Sequence, residues 1–215
     1  MTTFFIVLIG WIFSLCLHEY FHAAVAFRGG DWTVKEKGYL SFNPLKYTHP
    51  LYSIILPVVF LMLGGLGLPG GAVYIETWRL KNRNWETYVS LAGPLANLIV
   101  AIALGIVLRI DAVANSALGP TLAFLGFLQV SALLFNLIPI PPFDGYRAIA
   151  PHLASGIRAM IEPYANLIFF GFMFIMWNVS FINAIFWYAV RVIAELLGVP
   201  LDLVNTGYSQ FFFWR

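Results

Sequence analysis

The sequence predicts an all-α polytopic membrane protein, a helical bundle carrying a small membrane-associated β-hairpin and a re-entrant segment. Three observations carry that expectation. The 215 residues are 60% hydrophobic and 10% charged, whereas soluble chains carry roughly 25% charged residues. Three windows lack Asp, Glu, Lys and Arg altogether: 22 residues between Glu86 and Arg109, 32 between Asp111 and Asp144, and 28 between Glu162 and Arg191. Apolar runs of about 18 or more residues read as membrane-spanning helices. A fourth apolar stretch, Leu51 to Leu63, is shorter, contains Pro57 and dissolves into GGLGLPGG, which fits a re-entrant segment better than a crossing. These features exclude a soluble enzyme and a disordered chain. A net charge of +2 lacks the basic footprint of a nucleic-acid binder, so no nucleic-acid partner is expected. The single cysteine, Cys16, excludes an internal disulfide and a Cys-based zinc cluster.

The first apolar segment runs from about Thr3 to Phe27 and stops at Arg28-Gly29-Gly30. It has no basic leader and no small-x-small cleavage site, so it reads as a retained span. The polar stretch Asp31 to His49 contains WTVKEKGYLSF, whose alternation around Gly38 predicts a short hairpin over 31–42, with a further strand at Ala72 to Ile75. Tyr88 to Leu108 and Thr121 to Ile138 are spans. The second ends at IPIPPFDG, where Pro139, Pro141 and Pro142 lack the donors a helix needs. Ala165 to Leu197 is apolar and aromatic, with a break near Asn178 to Asn183; it forms one or two spans, with an interfacial helix as the alternative for its end. The expected organisation is a core over 1–150 followed by C-terminal membrane helices over 151–215.

The basic residues test this parity. If Leu51 to Leu63 dips and returns, nine of them (Arg28, Lys35, Lys37, Lys46, Arg79, Lys81, Arg83, Arg147 and Arg158) share one side and Arg109 alone faces the other. The positive-inside rule prefers that arrangement and places the nine in the cytoplasm. The result is a multi-pass protein in the lipid bilayer.

Chemistry concentrates at His18-Glu19-Tyr20-Phe21-His22, an HExxH pattern in the second half of the first span. Residues four apart share a helix face, so both imidazoles can bind one metal, and Glu19 can reach a metal-bound water. An ionisable group inside a membrane costs roughly 2.5–3.5 kcal/mol on insertion scales, so it reads as functional by default. A zinc-type site needs a third protein ligand. Asp144 is the candidate: it follows a long uncharged window just after the proline-broken helix end, on the membrane face that His18 and His22 approach. An ordinary surface turn is the alternative reading of Asp144-Gly145. His49 and His152 lie near the same face and read as interfacial histidines. Gly93, Asn97, Ala101 and Gly105 form a small or polar stripe that suits close helix packing.

HEYFH, AGPLAN (Ala92 to Asn97) and FNLIPIPPFDG (Phe135 to Gly145), in that order, resemble the site-2 protease family of intramembrane zinc metalloproteases, and GYLSFNPLKYTHPL resembles its compact branch without a PDZ domain. The similarity covers about residues 1–150. It implies one Zn²⁺ per chain held by His18, His22 and Asp144, with Glu19 as general base and acid. It also places Asn97 and Asn136 at polar positions near the substrate, as possible oxyanion donors. Phe143 stands where leucine is commoner, and Pro69 to Thr77 departs from the family's Pro-rich stretch. The implied partner is a transmembrane substrate, unwound and held as a strand against the 31–42 hairpin. His22 and His18 lie six and ten residues from Arg28, roughly 9–15 Å below the cytoplasmic surface in an upright helix. A zinc transporter and a catalytically inactive, membrane-protein-binding homologue are the alternatives. Glu19 separates them from a protease, because neither needs a carboxylate beside the metal.

Overall fold

The structure, a computed structural model, describes residues 1–43, 46, 59 and 73–214. Among the described residues, all regular secondary structure is helical. The described residues form ten α-helices in chain order: α1 Thr2–Gly29, α2 Thr33–Glu36, α3 Arg83–Leu108, α4 Asp111–Ala114, α5 Gly119–Asn136, α6 Asp144–Ile149, α7 Ser155–Ile161, α8 Ala165–Asn178, α9 Ser180–Leu196 and α10 Leu201–Phe211. Among the described residues, four helical stretches are long and apolar enough to cross a membrane: α1, α3, α5 and the run Ser155–Asn178. Helices α9 and α10 together make a further apolar pair, bent by 117°.

The helix ends follow local chemistry. Gly30, at φ 119°, closes α1: its N–H reaches Phe27 O and the Asp31 N–H reaches Ala26 O. This Schellman stop needs a residue that tolerates the left-handed region, which glycine does. At the start of α3 the Asn82 side chain accepts from the Asn84 N–H at 3.0 Å, and Glu86 lies in the first turn. Pro120 opens α5, where its missing N–H costs nothing.

The expected hairpin over 31–42 is absent: among the described residues there is no strand. Asp31 accepts from the Thr33 N–H (3.1 Å) and hydroxyl (2.6 Å) and so starts the short helix α2. Gly38, at φ 75°, stops it, with the Tyr39 N–H on Val34 O. Val34 and Tyr39 are both buried against the α1–α3 cluster. A helical turn closed by a Schellman motif mimics alternation because its residue before the last turn and the residue after the glycine pack together. The strand expected at 72–75 is likewise not formed over 73–75, the part that is described. Val73 to Glu76 have no ladder partner among the described residues, and the N–H groups of Val73 and Glu76 bind side chains instead. The re-entrant reading of Leu51 to Leu63 lies, apart from Val59, outside the described residues, as does His49.

Helices α1 and α3 pack antiparallel. His22 meets Val89, His18 meets Asn97, and the Lys81 N–H donates to Gly29 O at 2.9 Å. The two ends of the 30–82 segment therefore lie side by side. Helix α5 runs parallel to α1, since Thr121 donates to Thr3 at one end (3.2 Å) and Leu125 covers Gly10 above it. Val7 and Trp11 of α1, Phe124, Leu125 and Leu128 of α5, Val190 and Ala194 of α9, and Val204 and Phe211 of α10 share one core. The last two helices thus pack directly on the first and third spans. The stripe on α3 packs closely as well: a Cβ on Gly105 would collide with the Leu197 carbonyl. Helix α8 joins through Met173 and Met176, which pack with Phe135 and Phe143. Its Leu167, Phe170 and Phe174 point outward and are largely exposed, a surface suited to lipid chains.

Candidate metal centre

The centre lies where α1, α3 and α6 meet. His18 and His22 are one turn apart on α1, so both imidazoles leave the helix on the same side. Their Nε2 atoms are 3.0 Å apart. Asp144, the first residue of α6, brings its Oδ2 to 3.2 Å from His18 Nε2 and 3.3 Å from His22 Nε2. All three side chains are buried. Apart from these imidazoles, Asp144 Oδ2 has no hydrogen-bond partner. The polyproline exit from α5 delivers Asp144 there, because Gly145 lets the first turn of α6 pass against the Leu137 carbonyl where a Cβ would collide.

This donor set suits a small divalent cation. Nitrogen and oxygen ligands at the usual zinc distances and tetrahedral angles sit roughly 3.3–3.6 Å from one another. The observed triangle is 3.0, 3.2 and 3.3 Å on a side. Gly93 of α3 leaves the space beside the two Nε2 atoms clear. A Cβ there would run into His22 Nε2 and His18 Nε2, and would come within 2.6 Å of His18 Cε1.

The second nitrogen of each ring is held. His22 Nδ1 lies 2.6 Å from the Val89 carbonyl oxygen. That atom only accepts, so Nδ1 carries a proton, and in the neutral ring Nε2 keeps its lone pair toward the centre. His18 Nδ1 lies 2.6 Å from Asn97 Oδ1. The Asn97 amide in turn donates to Gln129 Oε1 at 2.9 Å.

Glu19 is buried beside the histidines, and the three side chains offer ligand atoms within 4.8 Å of one another. Its Oε2 accepts from the Val73 N–H at 3.1 Å. The segment that supplies this N–H is tied down further on. The Glu76 N–H donates to Asp31 Oδ2 (2.8 Å), and the Glu76 carboxylate receives Lys37 (2.9 Å) and Arg79 (2.6 Å). Those two cations, Arg79 first, hold the Glu76 carboxyl below the usual carboxylate range.

The structure therefore brings together His18, Glu19, His22 and Asp144, four of the residues singled out in the sequence. Asn97 faces His18 with its carbonyl end, not the open side of the centre with its amide. Asn136 donates to the Ala132 carbonyl of its own helix at 3.0 Å. His152 pairs with the Thr87 hydroxyl at 2.9 Å, away from the centre. Sequence reasoning missed Gln129, the Val89 carbonyl, the Val73 N–H and the steric role of Gly93. Gln129 did leave a signal, as a lone amide amid the apolar residues of α5.

The family model described as peptidase family M50 matches residues 4–114. The chain is 42% identical over 219 residues to a protein of Mycolicibacterium smegmatis named "Putative zinc metalloprotease Rip2", covering 98% of this chain and 81% of that one. The Mycobacterium tuberculosis protein of the same name is 41% identical over 213 residues, with the same coverage. A Bacillus subtilis relative, YwhC, is 33% identical over 170 residues, 74% of this chain and 75% of its own. No solved structure matches the chain. With an HExxH helix, a distant aspartate beside both histidines and a family match over the first half of its length, the chain belongs to peptidase family M50, the site-2 protease family.

Proposed function

We propose that the protein is an intramembrane zinc metalloprotease that hydrolyses peptide bonds within transmembrane segments of membrane-protein substrates. The observation that carries this is the convergence of two imidazoles, a carboxylate oxygen with no other partner and a neighbouring glutamate inside an apolar helical bundle. His18, His22 and Asp144 would hold one zinc ion. When bound, zinc supplies Lewis acidity at neutral pH, toward a water and toward the scissile carbonyl.

The chain's own groups do the rest. His22 and His18 present Nε2 because their Nδ1 protons are engaged by Val89 and Asn97. Glu19 takes the proton from the attacking water at its carboxylate and returns it to the leaving amine. The Val73 N–H on Oε2 orients that carboxylate without filling both of its oxygens. Asn97 serves His18 in this reading, and Asn136 remains the amide candidate for a substrate group. The substrate must unwind first, since a helical carbonyl is already hydrogen-bonded and shielded.

A transporter would need ligands spread along a path through several spans. Among the described residues, the cluster with ligand atoms this close is at one place, and it includes Glu19. The distribution of basic residues supports a centre opening toward the cytoplasmic side.

The test is co-expression of the chain with single-span membrane proteins, with and without Glu19→Gln. Cleavage inside the span that vanishes in the variant supports a protease. Zinc flux into liposomes that depends on His18, with no cleavage of any substrate, overturns it in favour of the transporter.

A further inference from the structure

Each histidine of the centre is held by a second contact, through Nδ1. Asp144 has no such hold on the atom that matters: its Oδ2 touches the two imidazoles and has no other partner. What aims that oxygen is the helix that carries it. Helix α6 is only six residues long and lies along α3. Its start is set by the chain leaving α5, where Gly145 passes against the Leu137 carbonyl. One fixed end does not set the direction of a helix, so a second point is needed.

Thr87 of α3 supplies it. Its hydroxyl donates to the Ala148 carbonyl at 2.7 Å. Ala148 lies four residues beyond Asp144, about one helical turn. Its carbonyl belongs to the last turn of α6, where carbonyls lose their partners along the helix, and Pro151, three residues on, has no N–H to offer. The direction of the bond is fixed by chemistry. A carbonyl only accepts, so the single hydroxyl proton goes to Ala148. The other neighbour, His152 Nε2 at 2.9 Å, sits on an exposed ring and donates its own proton to the hydroxyl oxygen. A hydroxyl inside a helix can turn back to the carbonyl four residues earlier, as Ser90 does to Glu86 at 2.9 Å. Thr87 reaches across to α6 instead. Two residues further along α3, the Val89 carbonyl holds His22. One short stretch of α3 therefore holds a histidine on one side and the far end of the aspartate's helix on the other.

We propose that Thr87 is a positioning residue for the metal centre, pinning the end of α6 to α3 so that Asp144 Oδ2 is presented to the cation that His18 and His22 bind. This rests on the metal reading given above.

The experiment is a zinc titration against a competing chelator, on the purified full chain in detergent, for wild type, Thr87→Val, Thr87→Ala and Thr87→Ser. Valine keeps the shape of threonine without the hydroxyl, and serine keeps the hydroxyl without the methyl. Zinc binding should weaken about 3- to 10-fold in T87V and T87A, the worth of one hydrogen bond. It should stay within twofold of wild type in T87S. A role in packing alone predicts the reverse order, with T87V binding like wild type and T87S weakened. In an Asp144→Ala background, T87V should cost nothing further, because the hydroxyl acts through that aspartate. Less than threefold weakening in both T87V and T87A, a T87S as weak as T87V, or an equal further loss in the Asp144→Ala background overturns the inference. If His22→Ala, which leaves Thr87 and α6 untouched, binds zinc as tightly as wild type, the metal reading itself fails and takes this inference with it.

Discussion

Gly93→Ala is the smallest change that should disable the centre. Local physics alone predicts a benefit: alanine in a helix interior is favoured over glycine by about 0.8–1 kcal/mol. Tertiary geometry predicts the opposite for metal binding. The new methyl would sit at the point where His18 Nε2 and His22 Nε2 converge, with His18 Cε1 only 2.6 Å away. Without metal, the imidazoles can swing aside and relieve the clash. With metal, both rings must return, so the strain falls on the bound state. Overpacking strain is typically 1–3 kcal/mol, and about 1.4 kcal/mol is a factor of ten in affinity. Zinc binding should therefore weaken by roughly 5- to 150-fold. The metal-free protein should melt at or slightly above the wild-type temperature. Chelator competition and thermal melting, each with and without zinc, measure the two effects separately. Zinc affinity in G93A within twofold of wild type would show that the ion does not sit between the histidines and α3.

Other perturbations separate the roles further. Glu19→Gln should lower proteolysis by roughly 10²–10⁴-fold, the usual worth of a general base, and leave zinc content near wild type; His22→Ala should lose both, as metal analysis beside a cleavage assay will show. Cysteines placed at Lys35 and Lys81 should label from the same side of the membrane, because Lys81 is hydrogen-bonded to Gly29 at the end of α1; labelling from opposite sides refutes this packing. Glu76 is held below its ordinary pKa by Arg79 and Lys37, so its contribution to stability is present above the unfolded carboxyl's value and is lost as pH falls through the lowered one. The melting-temperature gap between wild type and Glu76→Gln should accordingly hold from neutral pH to about pH 5 and close only in stronger acid.

The parts of this protein that were legible in its sequence are those fixed by short-range periodicity and by the cost of charge in a membrane. Uncharged windows announced α3, α5 and α8–α9, because a membrane leaves the backbone few alternatives to a helix. HExxH announced one face of α1, because 3.6 residues per turn puts His18 above His22 in any helix. Asp144 stood out because a lone carboxylate after 32 uncharged residues is costly unless something uses it. The hairpin was misread where two signals compete over the same letters: Gly38 serves a helix stop as readily as a turn between strands, and only the burial of Val34 and Tyr39 together decides between them. Tertiary structure alone decided the partners of the histidines. The Val89 carbonyl is a group every residue possesses, so no side chain marks it. Gly93 acts by lacking an atom, and its stripe with Asn97, Ala101 and Gly105 reads equally as helix packing. Asn97 and Gln129 lie 32 residues apart, and whether an amide offers its oxygen or its nitrogen to a neighbour depends on which groups surround both ends. That information exists only once α1, α3 and α5 are packed against one another.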